Sequence, residues 1–356
     1  MKKINSFEYN TIIWFLIRAT FIEITVSILL TKAHQDAILS IIIGIILGLI
    51  PFSIYSYLKN KYPDKNIIDI NKNFGKLGTF INLITIGGIF LFTICSFWIL
   101  VHFIDSQYLY HTPTSIIIAV LILPIIYASL KPMHIFSKVS LIMFYISLIF
   151  IIIILTGLVG NIDIENLKPI LNESPSNILS GTFYFIGFNI LPLFVLLIIP
   201  RNNINNYSSK KTLLFYFLGT LSLLNVLFLT ISIFGIHLAE LYNYPSFHLL
   251  KRVSVLDVID RAESILSLEW FLALFVQITT CLYFIKESIK QTFKTKEKTN
   301  NIIIFVICLI IAFLTNFIFT TKSTEIAYFK NILIYILYLI CLVLPLFTTF
   351  KSLKKT

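Results

Sequence analysis

The sequence predicts an all-α polytopic membrane protein with ten transmembrane helices, and three observations carry that prediction. Apolar residues make up 57% of the 356 positions and charged residues 13%, with a mean hydropathy of +0.90, a balance far more apolar than that of a soluble domain. Ten apolar runs recur along the chain, at about 10–31, 37–58, 79–104, 112–130, 138–160, 177–199, 212–236, 262–286, 300–320 and 328–350. At ~1.5 Å per residue each is long enough to cross ~30 Å of hydrocarbon, some with tilt. Charge is distributed unevenly between the runs: with the N-terminus placed in the cytoplasm, 20 of the 28 Lys and Arg residues fall on that side and seven on the other. That asymmetry puts both termini inside, so the net charge of +11 reads as topology and implies no nucleic-acid partner.

The first run, "WFLIRATFIEITVSILL" at 14–30, has no small-residue cleavage site after it and reads as a retained span. It carries Arg18 and Glu23 near its middle. An intramembrane arginine costs roughly 2.5–3.5 kcal/mol on insertion scales and ordinarily faces a cavity or a partner. Five residues apart, the two charges would stand about 140° apart on a continuous helix and could not share one face. Two readings follow. Glu23 pairs with a neighbouring helix while Arg18 bonds backbone carbonyls, a structural role; or the span is interrupted near 18–23, and Arg18 lines a cavity where its guanidinium meets a carboxylate.

On the third run His102 and Asp105 stand three residues apart near the outer end, at interfacial depth or as a proton-sensitive pair. The sixth run, "SGTFYFIGFNILPLF" at 180–194, concentrates Gly181, Gly187, Asn189 and Pro192. By itself that describes a kinked packing helix. Irregular first and sixth spans in a ten-span chain are also what two inverted five-helix repeats with discontinuous lead helices produce, here 1–160 and 177–350 within a single membrane domain over 1–356. On the eighth run Glu269 and Gln277 share a face and either border a cavity or join helices. Tyr335 and Tyr338 of the tenth read as packing or interfacial aromatics.

Two outer loops stand out, at 161–181 and 237–262. In the second, Leu249, Val253, Leu256, Ile259 and Ala262 recur at helical spacing opposite Lys251, Asp257 and Asp260, which predicts an amphipathic surface helix leading into the eighth span. The four cysteines lie inside apolar runs without CxxC spacing and suggest neither a disulfide framework nor a metal site. No GxxxxGK[ST], HExxH or GxSxG pattern occurs, so no enzyme and no cofactor is expected.

The loops and the span pattern together carry a resemblance. "IENLKPIL" precedes a glycine-bearing sixth span ending in Pro200, and an acidic-Arg-x-Glu sequence, Asp260, Arg261, Ala262 and Glu263, leads into the eighth span ahead of Trp270. In these features the chain resembles the B subunits of spore germinant receptors, the spore permease family, over essentially its whole length. The resemblance implies the LeuT-like fold of amino acid, polyamine and organocation transporters. It also implies a small nutrient, often an amino acid, bound at broken spans one and six, in complex with a membrane A subunit and a lipoprotein C subunit in the spore inner membrane. Carried over by position, Gly181, Thr182, Phe185, Gly187 and Asn189 match the ligand-lining part of the sixth span, and Arg18, Ala19, Thr20 and Glu23 stand at the break of the first. Relatives that bind amino acids tend to carry a Gly-x-Gly turn there, where this chain has "LIRATFIEIT". Asp260, Arg261, Glu263 and Gln277 are the expected coupling positions.

Overall fold

The computed structural model describes residues 3–253, 263–318 and 327–353, with the side chains of Ile22, Glu23 and Ile318 outside that description. Apart from one two-residue strand pair, its regular structure is helical. Eight helical stretches of the described residues are long and apolar enough to cross a membrane, the largest being Val26–Lys61, Ser209–Leu241 and Lys76–Gln107. The helices used below are α1 (Ser6–Arg18), α2 (Val26–Ala33), α3 (Ala37–Leu47), α4 (Leu49–Lys61), α5 (Ile67–Lys72), α6 (Lys76–Gln107), α7 (Thr114–Leu130), α8 (Met133–Leu158), α9 (Pro175–Phe185), α10 (Ser209–Leu241), α11 (Pro245–Leu250), α12 (Glu263–Leu266), α13 (Leu268–Phe293) and α14 (Glu297–Ile318), followed by the apolar segment Phe329–Leu353.

Two of the expected runs take a different form. The first is not one continuous α-helix: α1 stops at Arg18, residues 19–20 form a turn, and a π-helical turn, Phe21–Thr25, precedes α2. The fourth, α7, has only 17 residues, ~25 Å at 1.5 Å per residue.

α1 starts from a capping box, in which Asn5 Oδ1 accepts from Phe7 N at 3.0 Å and the Glu8 carboxylate accepts from Asn5 N at 3.4 Å. Ile4–Asn5 also pairs in parallel with Ile204–Asn205, so the start of the chain is tied to the segment ahead of α10. From there α1 runs through the middle of the bundle, packed between α8, α10 and α13. Its contact with α8 is a stripe of small polar residues. Ser137 donates to Glu8 Oε2 (2.8 Å), Thr11 and Ser140 share a hydrogen bond (3.1 Å), and Trp14 Nε1 donates to Ser147 Oγ (3.4 Å). Small residues let two helices approach closely in lipid, and their hydroxyls join them.

The sixth helix holds the same central position. Of its apolar window 94% is buried inside the protein, against 17% for Met133–Asn161, so the former is enclosed by protein while the latter turns most of its surface outward to hydrocarbon. It also changes geometry twice. α9 gives way to a π turn at Ile186–Ile190 and then to a 3-10 segment at Leu191–Ile198, where Pro192 lacks the N–H that an α-helix would use.

Candidate functional site

The two central irregularities meet and bond each other. Thr20, at the break of the first helix, donates from its hydroxyl to the Phe188 carbonyl at 2.8 Å, and Asn189 donates from Nδ2 to the Ile17 carbonyl at 2.8 Å. Both side chains are fully buried. A backbone that leaves the i to i−4 pattern frees carbonyls, and inside a membrane protein those carbonyls need donors from neighbours. Here each break supplies one for the other.

Arg18 is the last residue of α1 and is buried, 2% exposed. Its Nε donates to Glu269 Oε1 of α13 at 2.9 Å, its Nη1 donates to the Ser222 hydroxyl of α10, and its guanidinium lies 4.9 Å from the centre of the Trp14 ring. Ser147 of α8 donates to the same Glu269 oxygen at 2.9 Å. The arginine therefore has a carboxylate partner 251 positions away in sequence, and four helices converge on the pair. The first sequence reading had Arg18 bonding backbone carbonyls, and its partners are instead a carboxylate and a hydroxyl on other helices, while the side chain of Glu23 lies outside the description; Arg18 and Glu269 also line a cavity of about 270 Å³.

That cavity lies between α1, α8, α10, α11 and α13. Its walls are mainly aliphatic, with Trp270 at one side, and its other polar groups are Ser222, Asn225 and Ser246. The Ser246 hydroxyl is buried without a hydrogen-bond partner among the described residues. A concave apolar chamber with a few convergent polar groups is the form small-molecule sites take. Asn225 and Ser246 had not been singled out from the sequence. The signal for the first was present, since Asn225 is the one Asn in the apolar run 212–236.

The glycine-rich part of the sixth helix does not line this cavity. A Cβ on Gly181 would stand 2.6 Å from Ser40 Oγ, one on Gly187 2.1 Å from Ile334 Cδ1, and Thr182 donates to the Ser40 carbonyl at 3.0 Å. Phe185 packs edge-on to Phe21 and lies over Gly44. These residues serve close helix approach, for which small side chains are required. Ala19 faces the other side, in an aromatic cluster with Phe103, Tyr244, Trp270 and Phe271 around a space of only about 10 Å³. The backbone of Glu23 belongs to the π turn. Gln277 donates to Ser96 Oγ of α6 at 2.9 Å, joining helices away from the cavity. Glu263 opens α12, whereas Asp260 and Arg261 lie outside the described residues.

Most of the expected amphipathic surface helix, from residue 254 to 262, lies outside the described residues. α11 ends at Leu250, because Arg252 N and Val253 N turn back to the carbonyls of Leu249 and Leu250; Leu256, Ile259 and Ala262 lie outside the described residues. What remains closes the cavity with Leu249 and Leu250. His248 stacks on Tyr242 at 3.9 Å, and burial together with nearby Lys251 holds its imidazole pKa below the usual range.

The "IENLKPIL" loop has a structural partner as well. α10 is broken at Gly235, where φ is +67°. The Ser232 carbonyl near that break accepts from Asp163 N at 3.1 Å and from Asn166 Nδ2 at 2.9 Å.

Comparison with known proteins agrees with this architecture. The solved structure of MhsT in complex with L-phenylalanine superposes with a TM-score of 0.62, covering 96% of this chain and 89% of that one at 12% identity, which shows a shared fold. Among curated proteins of Bacillus subtilis (strain 168), the spore germination protein YfkT is 23% identical over 259 residues, 72% of this chain and 71% of YfkT. Spore germination protein KB is 25% identical over 289 residues, 77% of this chain and 76% of its own. The spore permease family, described as "Spore germination protein", matches residues 3–324, and with nine-tenths of the sequence inside that match the chain belongs to this family of multi-pass membrane proteins.

Proposed function

We propose that this chain is the membrane-embedded sensing subunit of a germinant receptor. In this reading it has ten spanning helices arranged as two inverted five-helix repeats, 1–160 and 177–350, in a LeuT-like fold. Both termini face the cytoplasm, and it works in the spore inner membrane with an A subunit and a lipoprotein C subunit, without catalysis. The observation that carries the reading is a buried Arg18–Glu269 pair at the break of the first helix, opening on a cavity of about 270 Å³. A small nutrient such as an amino acid binds there, a carboxylate against Arg18 and its apolar part against the aliphatic wall. Glu269 is the countercharge of Arg18. Thr20 and Asn189, with Ala19, pass the change on to the sixth helix, where Gly181, Thr182, Phe185 and Gly187 allow the tight contacts against which it shifts. The ligand shifts the balance of two arrangements only by binding them with different affinities.

A transporter of the same solutes is the second reading, favoured by the paired breaks in central helices. The test is germination of spores lacking this chain across single amino acids, nucleosides and sugars, beside uptake of the same compounds by growing cells. Loss of response to one nutrient with uptake intact is expected. Intact germination with impaired uptake would replace sensing by transport.

A further inference from the structure

Among the described residues the buried cations differ in how they are compensated. Arg18 has Glu269 at 2.9 Å, and Lys286 has Glu297 at 4.0 Å. Lys59, near the end of α4, is 6% exposed, and no described carboxylate comes within ion-pair distance of it. Its Nζ donates to the Tyr9 hydroxyl at 2.7 Å and to the Leu196 carbonyl at 3.1 Å, and it sits 4.3 Å from the centre of the Tyr9 ring. A buried ammonium without a counter-charge carries a desolvation penalty that hydrogen bonds and a ring face offset only in part. The neutral amine has a use for the same neighbours, because its lone pair can accept from the Tyr9 O–H while an N–H still reaches Leu196. Both protonation states are therefore satisfied in place.

The position gives this a consequence. Tyr9 belongs to α1 and Leu196 to the segment that follows the break of the sixth helix, so Lys59 ties together the ends of the two broken helices on the side where the chain begins. A cavity of about 30 Å³ adjoins it, with Tyr9, Tyr55, Ser56, Tyr207 and Thr212 among its lining residues. That is room for a water, which needs ≳10–15 Å³, with polar partners along which a proton can move.

We propose that Lys59 is a proton-binding site, and that its protonation loosens α1 from the 191–198 segment. Protonated, it makes two hydrogen bonds across the junction but keeps an uncompensated buried charge, a cost relieved when the junction opens to water; deprotonated, it accepts from Tyr9 and donates to Leu196 without that cost. The titratable groups facing it are Tyr9 from α1, Tyr207 ahead of α10 and Tyr55 from α4 itself. Lys65 borders a smaller space shared with Lys59, and Arg201 lies over the far side of Tyr207. The carboxylates of the neighbouring turn are engaged elsewhere, Asp64 with Asn202 and Asp69 with Lys72.

The test is hydrogen exchange of the full chain in lipid nanodiscs from about pH 5 to about pH 10.5, which spans the values documented for buried lysines and the ordinary one. Rates are expressed as protection relative to intrinsic exchange. Protection of 6–18 and 191–198 is expected to rise by about tenfold as pH rises and the buried charge is lost. Lys59→Arg, which stays charged throughout, is expected to show the low protection at every pH, and Lys59→Met to abolish the rise. A wild type without pH dependence or with protection that falls, or a rise that persists unchanged in Lys59→Met, overturns the assignment. If Lys59→Arg does not insert into the membrane, the Lys59→Met profile decides alone.

Discussion

Arg18 shows how one side chain can be visible in a sequence and still lack its meaning there. A guanidinium in an apolar span must have a partner, and the sequence left that partner open, because Glu23 stands about 140° away on a continuous helix. The structure supplies Glu269 from α13, with Ser147 and Ser222 completing the hydrogen bonds. Breaking a buried pair leaves one charge uncompensated, at a cost of ~3–5 kcal/mol, whereas replacing both partners by apolar residues of similar size is often neutral. Arg18→Met and Glu269→Leu are each expected to lower thermal stability of the purified protein sharply, and the double variant to recover most of the loss. Equal, additive losses would mean that the two side chains are not coupled. In spores, Arg18→Gln at normal expression is expected to raise the nutrient concentration needed for response about tenfold, because a charge-assisted hydrogen bond is worth ~1.5–3 kcal/mol.

Among the elements, helix existence was legible and helix interruption only partly so. Hydrophobic length marks a span, but a break depends on whether a neighbour satisfies the carbonyls it frees. For the sixth helix, Gly187, Asn189 and Pro192 in sequence pointed to the right place, and the structure turns from α to π to 3-10 geometry there. For α10 nothing in "TISIFGIHL" separates Gly235 from an ordinary membrane-helix glycine. The kink becomes intelligible only with Asp163 and Asn166 seated on the Ser232 carbonyl. Because φ there is +67°, a Cβ is strained, so Gly235→Ala is expected to cost ~1–3 kcal/mol and to raise hydrogen exchange around 230–238. Unchanged exchange would mean that the helix straightens without penalty. The serines of α8 at 137, 140 and 147 are the converse case. Their spacing puts them on one face of the helix, and that face is the one against α1.

Across the molecule, the two broken helices act as a unit because each fills the other's hydrogen-bonding deficit. Thr20→Val and Asn189→Leu each leave a buried carbonyl without its donor, ~1–3 kcal/mol apiece. As the two bonds cross the same junction, their effects are expected to depart from additivity by ~0.5 kcal/mol or more in a double-mutant cycle on thermal stability. Strict additivity would mean that the breaks are independent, and would remove the route by which a ligand at Arg18 reaches the sixth helix.

Composition, run length and charge asymmetry determined that the chain is a helical membrane protein, because transfer of apolar side chains and placement of Lys and Arg are additive over local sequence and need no knowledge of partners. The motifs around 161–181 and 260–270 pointed to the family for the same reason, being local. What lines the cavity was decided by tertiary structure alone. Arg18, Ser222 and Glu269, which line it, and Ser147, which bonds Glu269, come from four helices separated by up to 251 positions, and their convergence depends on which helix faces pack. That choice is set by close contacts such as Gly181 on Ser40 and Gly187 on Ile334, which no periodicity along one strand of sequence contains.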